Sequence, residues 1–235
     1  MAEEGEEAFP GCRLYLVTPL LSPAGGLDAE AFAPVLAATL DAGDVASLLL
    51  RCADESDDAV QRAADRLRPV AQDRGVAFLL EDRPNLVAAT GADGVHLTRG
   101  EADVIAARRL LGPDMIVGAA CAVSRHRAMV AAERGADYVA FGDPGAVDAR
   151  SGSATRADDE TVSLVAWWSA LMTVPCIAFA SAAPADIGPL VRAGADFLAL
   201  GARLWEWPDG PEAGLRAYLA AIAEAQETGG KPPRD

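Results

Sequence analysis

Three charged residues follow short apolar runs of β-strand type, and their chemistry suits phosphate and a divalent metal ion. Arg51 ends one run, Asp82 directly follows the next, and Glu101 comes four residues after a third. A guanidinium can hold phosphate or carboxylate at two points, while carboxylates from adjacent strands offer the oxygen ligands that Mg²⁺ prefers. The pattern predicts a metal-assisted phosphate site. The alternatives are structural: Arg51 could pair with Glu81 or Asp82. Asp82 could pair with Arg83, and Glu101 could cap a helix.

The chain has two histidines, which occupy different settings. His96 lies in the apolar run GVHL, where it could hydrogen-bond a substrate or act as a general base. The alternative is a packed, hydrogen-bonded strand residue. His126 lies in the polar stretch Ser-Arg-His-Arg and is expected at the surface.

A second group of polar residues follows the last two apolar runs. Ser181 and Arg203 lie where the loops of barrel enzymes commonly bind phosphate. Asp186 argues against such a site, since its charge would repel a phosphate nearby. The long polar segment 143–161 is typical of a lid or of a disordered loop. It contains Arg150 and Arg156, which could reach a bound phosphate or remain solvated.

The elements that must position these residues form a regular alternation. Ala- and Leu-rich stretches with helical spacing separate eight apolar runs. The runs are 13–18, 45–51, 76–81, 94–97, 115–119, 138–142, 175–180 and 197–201. Gly-Asp or Gly-Ala-Asp precedes every second run, where the glycine ends a helix and the aspartate leads into a strand. Eight such units predict a single (β/α)₈ barrel. An open doubly wound sheet is the alternative, but no G-x-G-x-x-G follows the first run.

Length and charge narrow the class of protein. The 235 residues carry 20 basic and 35 acidic side chains, a net charge of −15, which excludes nucleic-acid binding and docking on an anionic membrane. We expect a barrel over 12–225 between disordered ends at 1–11 and 226–235.

The four scattered cysteines predict buried reduced thiols. Without a signal peptide or an apolar span, the cytoplasm is expected. Lys231 is the only lysine.

Three local sequences resemble one family. LYLVT in the first run, GADGVHL at the fourth and GADYVAFG at the sixth are similar to the thiamine-phosphate synthase family, whose superfamily also contains the thiazole tautomerases. The resemblance runs over residues 14–204. It implies a barrel that joins a pyrimidine pyrophosphate to a thiazole phosphate. It also implies that Mg²⁺ assists the departure of pyrophosphate, after which the thiazole nitrogen captures the pyrimidine cation.

The family's motifs carry over only in part. Its Q-x-R-x-K pattern is reduced here to Arg51, and its Asn-Asp pair after the third strand reads Glu81-Asp82. Its second metal carboxylate corresponds to Glu101, and a serine of its fifth strand corresponds to Ala120.

The family's phosphate loops are changed as well. A lysine in the loop after the sixth strand has no counterpart. The Gly-Gly turn after the seventh strand is replaced around Ser181, and the eighth-strand loop reads Gly201-Ala202-Arg203. The resemblance therefore implies three sets of site residues. They are Arg51 and His96 as catalytic, Arg51, Glu81, Ser181, Gly201 and Arg203 as substrate- or phosphate-binding, and Asp82 and Glu101 as metal ligands.

We expect a thiamine-phosphate synthase with weakened or altered activity, because the lost lysines supplied positive charge to the leaving group. Two alternatives stay open. One is a tautomerase-like or otherwise repurposed enzyme of the same superfamily. The other is a non-catalytic barrel that binds a thiamine precursor. Trp205 and Trp207, after the eighth run, fit either a homodimer patch or packing of the last helix onto the barrel.

Overall fold

Eight parallel strands close into a barrel in sequence order, from β1 beside β2 round to β8 beside β1. The computed structural model describes residues 11–21, 27–52, 55–142, 159–179 and 182–229. The strands are β1 (Arg13–Val17), β2 (Ser47–Leu50), β3 (Ala77–Glu81), β4 (Gly94–Leu97), β5 (Ile116–Ala122), β6 (Tyr138–Phe141), β7 (Cys176–Phe179) and β8 (Phe197–Leu200). The predicted single (β/α)₈ barrel is confirmed.

Helices follow the strands and cover the outside of the barrel. They are α1 (Ala29–Leu40), α2 (Asp57–Gln72), α3 (Val87–Thr90), α4 (Glu101–Leu111), α5 (Arg125–Glu133), α6 (Asp159–Leu171), α7 (Gly188–Arg192), α8 (Ala202–Trp205) and α9 (Pro211–Glu227). Short 3₁₀ turns at Pro84–Leu86 and Pro184–Asp186 precede α3 and α7. Asp28, Ser56 and Ser124 cap α1, α2 and α5 by accepting hydrogen bonds from first-turn N–H groups.

The apolar side chains form two cores because each strand is covered on both faces. The larger core lies between the strands and the helices. The smaller core fills the barrel interior with alternate residues of the strands. Its members include Tyr15, Leu49, Leu79, Tyr138, Ile177 and Phe179.

The Gly-Asp repeat fastens neighbouring strands at the amino-terminal end of the barrel. In three of the four copies, an aspartate just before an even-numbered strand accepts a hydrogen bond from an N–H at the start of the preceding strand. The pairs are Asp93 with Phe78 at 2.7 Å, Asp137 with Val117 at 2.7 Å and Asp196 with Cys176 at 2.8 Å. In the remaining copy Asp44 binds the Arg13 guanidinium at 2.7 Å. Each aspartate thus joins the two strands of one consecutive pair.

The two tryptophans after β8 pack against the helices that surround the barrel. The Trp205 indole donates to the Val17 carbonyl at 2.7 Å and lies edge-on to Phe32. Trp207 lies close to Gly214 and edge-on to Tyr218 of α9. Of the two interpretations from sequence, packing of the final helices is therefore observed.

The remaining expectations concern the ends, the long loop and the thiols. Residues 1–10, 143–158 and 230–235, which include Arg150 and Arg156, lie outside the described residues. Helix α9 continues to Glu227, past the expected start of the C-terminal tail. All four cysteines are buried and free, as predicted. In the described part of the chain, no helix is both long and apolar enough to cross a membrane.

Candidate active site

The predicted site residues that the structure describes lie at the carboxyl ends of their strands. In a parallel barrel these ends form one face, the mouth, where the loops after the strands meet. The residues are Arg51 after β2, Glu81 and Asp82 at the end of β3, His96 in β4, Glu101 at the start of α4, and Gly201 and Arg203 after β8. Ser181 lies outside the described residues.

Arg51 is held by three neighbouring strands. Its backbone N–H donates to the Thr18 hydroxyl at 3.1 Å, and its Nε atom lies 3.4 Å from a Glu81 carboxylate oxygen. The other Glu81 oxygen accepts the Cys52 N–H at 3.2 Å. The Arg51–Glu81 pair, one of the alternatives weighed above, is present and only 18% and 9% exposed. The Glu81 carboxylate would repel phosphate oxygens, and this geometry does not favour the predicted contact between Glu81 and phosphate. That contact stays a prediction.

Asp82 adopts the left-handed backbone conformation, with φ of 52°. Its N–H continues the strand ladder to the His96 carbonyl at 3.0 Å. One carboxylate oxygen accepts the Thr98 N–H at 2.8 Å, and the other accepts the Thr98 hydroxyl. Asp82 therefore links the ends of β3 and β4. It does not pair with Arg83, whose guanidinium donates to the Glu55 carbonyl at 2.6 Å.

Glu101 begins α4 and is engaged by α5. Its carboxylate accepts Arg127 Nε at 2.7 Å, and this hydrogen bond lowers the pKa of Glu101 below its ordinary value. Arg134 donates to the Glu101 carbonyl at 2.7 Å. Glu101 is therefore ionised at neutral pH and already paired with one cation.

Asp82 and Glu101 offer only carboxylate oxygens as ligands for a magnesium ion. The described residues contain no group of three or more His, Cys, Asp and Glu side chains suited to a metal. Mg²⁺, however, usually binds one or two protein carboxylates and takes its other oxygens from phosphate and water. Each Asp82 oxygen accepts only one hydrogen bond from Thr98 and so retains a lone pair. The Asp82 carboxylate therefore has the oxygen capacity for such an ion, and Glu101, with one oxygen bound by Arg127, is the second candidate carboxylate.

His96 is enclosed inside the barrel at the floor of the mouth. Its Nδ1 atom lies 2.9 Å from the Tyr138 hydroxyl, which in turn lies 3.1 Å from the Tyr15 hydroxyl. The rings of Tyr15 and Phe179 meet it edge-on, and Tyr138 stacks on it with ring planes 10° apart. Burial lowers the pKa of His96 to about 4, so the ring is neutral at pH 7. His126 is exposed, as expected.

Arg203 has buried hydrogen-bond donors that no acceptor in the described structure satisfies. Its Nε and Nη2 atoms are buried and have no hydrogen-bond partner among the described residues. It lies two residues beyond Gly201, on the loop after β8, and its charge acts on Tyr218. Burial nevertheless raises the pKa of Tyr218 to about 12, while its hydroxyl donates to the Ala182 carbonyl at 2.9 Å. A buried guanidinium with unmatched donors is suited to an anion.

Several residues of the site were not identified from sequence. Thr18, Thr98 and Arg127 hold Arg51, Asp82 and Glu101, respectively. The strand period of two could have indicated Thr98, since it places Thr98 on the same face as His96. Nothing in the sequence indicated Arg127, whose contact depends on how α5 packs beside α4.

Comparison with known proteins gives a consistent result. A family model described as thiamine monophosphate synthase matches residues 14–204. A thiamine-phosphate synthase of Rhodospirillum centenum is 50% identical over 207 residues, covering 88% of this chain and 96% of the relative. One from Hyphomonas neptunium is 43% identical over 215 residues, covering 90% and 94%.

Solved structures agree on the fold. A thiamine phosphate pyrophosphorylase from Pyrococcus furiosus superposes with a TM-score of 0.71 and covers 91% of this chain and 96% of its own. Its sequence identity is 19%, so this likeness bears on the barrel architecture alone.

Proposed function

This chain belongs to the thiamine monophosphate synthase family, and from that membership we propose the reaction that its barrel mouth performs. The protein is a transferase of the thiamine-phosphate synthase type. Its proposed substrates are hydroxymethylpyrimidine pyrophosphate and a thiazole phosphate. The bond between the pyrimidine methylene carbon and the pyrophosphate oxygen breaks, and a bond from that carbon to the thiazole nitrogen forms. Pyrophosphate leaves with the electron pair of the broken bond.

One observation carries the assignment of the site. Cationic and carboxylate side chains from well-separated parts of the sequence all follow carboxyl ends of the strands, on the face that carries chemistry in this fold. Arg51 follows β2, Asp82 follows β3, Glu101 begins α4 and Arg203 follows β8. This arrangement supports the binding of a phosphorylated substrate together with a divalent ion at the mouth.

The leaving group determines what these residues must do. Departure of pyrophosphate builds negative charge on its oxygens, and positive charge placed there in advance lowers the barrier. Arg51 is held in place by Glu81 and Thr18 and would face those oxygens from β2. Arg203, with two unmatched buried donors, would bind a phosphate group from β8.

The proposed cofactor is Mg²⁺, held by Asp82 and Glu101. When bound, it supplies positive charge to the phosphate oxygens. Thr98 fixes the orientation of the Asp82 carboxylate in advance of binding. Arg127 holds one oxygen of the Glu101 carboxylate and lowers the pKa of Glu101 below its ordinary value.

A two-substrate assay tests the proposal. Purified protein is incubated with both substrates and Mg²⁺, and thiamine phosphate and pyrophosphate are measured together beside a family member that keeps the lysines. We expect both products in equal amounts. Because two lysines are replaced, the rate could be lower by about 10⁴ if their effects are independent. A rate within tenfold of the control would show that arginines compensate, whereas no product at all would contradict the proposed function.

A further inference from the structure

Two tyrosines and a histidine form a hydrogen-bonded chain inside the barrel. The Tyr15 hydroxyl of β1 lies 3.1 Å from the Tyr138 hydroxyl of β6, and the latter lies 2.9 Å from His96 Nδ1 of β4. The three side chains are 1%, 6% and 1% exposed, respectively. The second ring nitrogen, His96 Nε2, is also buried and has no hydrogen-bond partner in the part of the chain that the structure describes.

The number of available protons determines which group donates in each of these two hydrogen bonds. Each phenol has one O–H, and a neutral imidazole has one N–H. If Tyr15 donates to Tyr138 and Tyr138 donates to Nδ1, only the N–H at Nε2 is left unmatched. In the opposite direction, the Tyr15 O–H and the lone pair of Nε2 are both unmatched in the described structure. Since each unmatched buried polar group is costly, the first direction is the more stable one.

We propose that Tyr15 and Tyr138 fix His96 as the tautomer protonated at Nε2, and that this N–H donates to a ring nitrogen of the pyrimidine substrate. The identity of the ligand rests on the proposed function, whereas the tautomer does not. Tyr15 and Tyr138 are positioning residues, because they act through His96. A neutral imidazole in this tautomer donates one hydrogen bond from Nε2 without adding a charge to the site.

The surroundings of His96 suit a flat heteroaromatic ring. His96 is paired in register with Glu81 and lies two residues before Thr98, so it is buried in the barrel near the carboxyl ends of β3 and β4. Around it stand the rings of Tyr15, Tyr138 and Phe179, which offer the apolar faces that aromatic ligands pack against.

The choice between the two substrates follows from their chemistry. A pyrimidine nitrogen carries a lone pair in the plane of the ring and accepts an N–H. The thiazole nitrogen must keep its lone pair for the new bond to carbon. A donor placed on it would block formation of that bond, whereas the pyrimidine ring nitrogens take no part in bond formation and remain free to accept an N–H.

Nitrogen-15 NMR of the imidazole rings tests the tautomer in the free protein. The chain has only two histidines, and His126→Ala removes the other set of signals. At pH 7 we expect His96 to be protonated at Nε2, with Nδ1 accepting a hydrogen bond. Tyr138→Phe should move the Nδ1 signal, while Tyr218→Phe, which removes a buried hydroxyl outside the chain of three, should not. A proton on Nδ1, or a doubly protonated ring, would overturn the proposal.

Adding hydroxymethylpyrimidine pyrophosphate alone tests the ligand. Phosphorus-31 signals report whether it binds, independently of His96. We expect binding to move the Nε2 proton signal downfield. Binding without any change at Nε2 would show that the pyrimidine is not the acceptor. Absence of binding would contradict the proposed function and, with it, this choice of acceptor, while the tautomer is decided in the free protein.

Kinetics separate positioning from a merely structural role. Tyr138→Phe should raise KM for the pyrimidine substrate by about 3- to 10-fold, the loss expected for one hydrogen bond. His96→Gln keeps an N–H donor near the Nε2 position, whereas His96→Leu does not. Circular dichroism checks that both variants are folded. His96→Gln should then retain more activity than His96→Leu. Equal impairment of the two would overturn the donor role of His96.

Discussion

Arg51 and Glu81 form a largely buried ion pair at the barrel mouth, with Nε 3.4 Å from a carboxylate oxygen. The pair holds the guanidinium in one place but also places a negative charge beside the site proposed for pyrophosphate. Glu81 therefore orients Arg51 at some cost in affinity for anions.

Glu81→Gln should consequently tighten the binding of inorganic pyrophosphate. The amide keeps an oxygen for the Cys52 N–H, but its NH2 group cannot accept from Arg51 Nε, so the charge is removed and the guanidinium is released toward the ligand. We expect Kd to fall by about 3- to 10-fold, the effect of one screened charge. Arg51→Ala should raise Kd by about 10- to 100-fold through loss of a charge-assisted hydrogen bond. Isothermal titration calorimetry measures both. Weaker binding in Glu81→Gln would mean that Glu81 itself contributes to the anion site.

Asp82→Asn should abolish the Mg²⁺-dependent part of pyrophosphate binding. The amide can still meet both Thr98 groups, so the melting temperature should change little, while the anionic ligand for the metal is lost. Titrations with and without Mg²⁺ give the difference. Asp103→Asn is the matched control, because Asp103 is a carboxylate of α4 paired only with Arg99 in the described structure. Unchanged Mg²⁺ dependence in Asp82→Asn would leave Asp82 with a purely structural role.

Arg203→Ala should weaken binding of the phosphorylated substrate that lies near β8. Loss of a charged donor pair predicts a rise in KM of about 10- to 100-fold for one of the two substrates. Arg216→Ala, which removes an exposed arginine of α9, should leave both KM values unchanged. Steady-state kinetics with each substrate varied in turn identifies the affected one. If Arg203→Ala behaved like Arg216→Ala, the unmatched guanidinium would have no part in binding.

Acid should destabilise the fold through His96. Burial lowers its pKa from 6.5 to about 4 in the folded protein, so between these values the unfolded chain binds the extra proton. The free energy of unfolding should therefore fall as pH drops through this window, by about 1.4 kcal/mol per pH unit from this group.

Urea unfolding at several pH values measures this dependence. His126→Ala should retain it, since His126 is exposed, while His96→Gln should lose this component of the slope. Identical slopes for His96→Gln and the unsubstituted protein would assign the effect to other groups.

The fold could be predicted from sequence because its determinants are local. The fourth run, 94–97, coincides with β4, and the predicted limits of the other strands differ by up to three residues. Apolar runs and helix-ending glycines need only neighbouring residues to be recognised.

The partners of the site residues could not be predicted in the same way. Tyr15 and Tyr138 are 123 residues apart, and their contact depends on closure of the barrel. Asp82 binds Thr98 rather than the adjacent Arg83 because its left-handed backbone turns the carboxylate toward β4. Such pairings are set by curvature and register, which a pattern of residue types does not encode.

The aspartates at the amino-terminal end of the barrel also bear on where the chain can be opened. Through their carboxylates, Asp93, Asp137 and Asp196 each connect two strands that are consecutive in sequence. A circular permutant opened between β4 and β5 therefore keeps every one of these contacts local. One opened between β5 and β6 turns the contact of Asp137 with Val117 into one that spans nearly the whole chain. Since folding slows as contacts become less local, the first permutant should refold faster than the second. The barrel is in this sense four two-strand units, each joined at its amino-terminal end by the side chain of one aspartate.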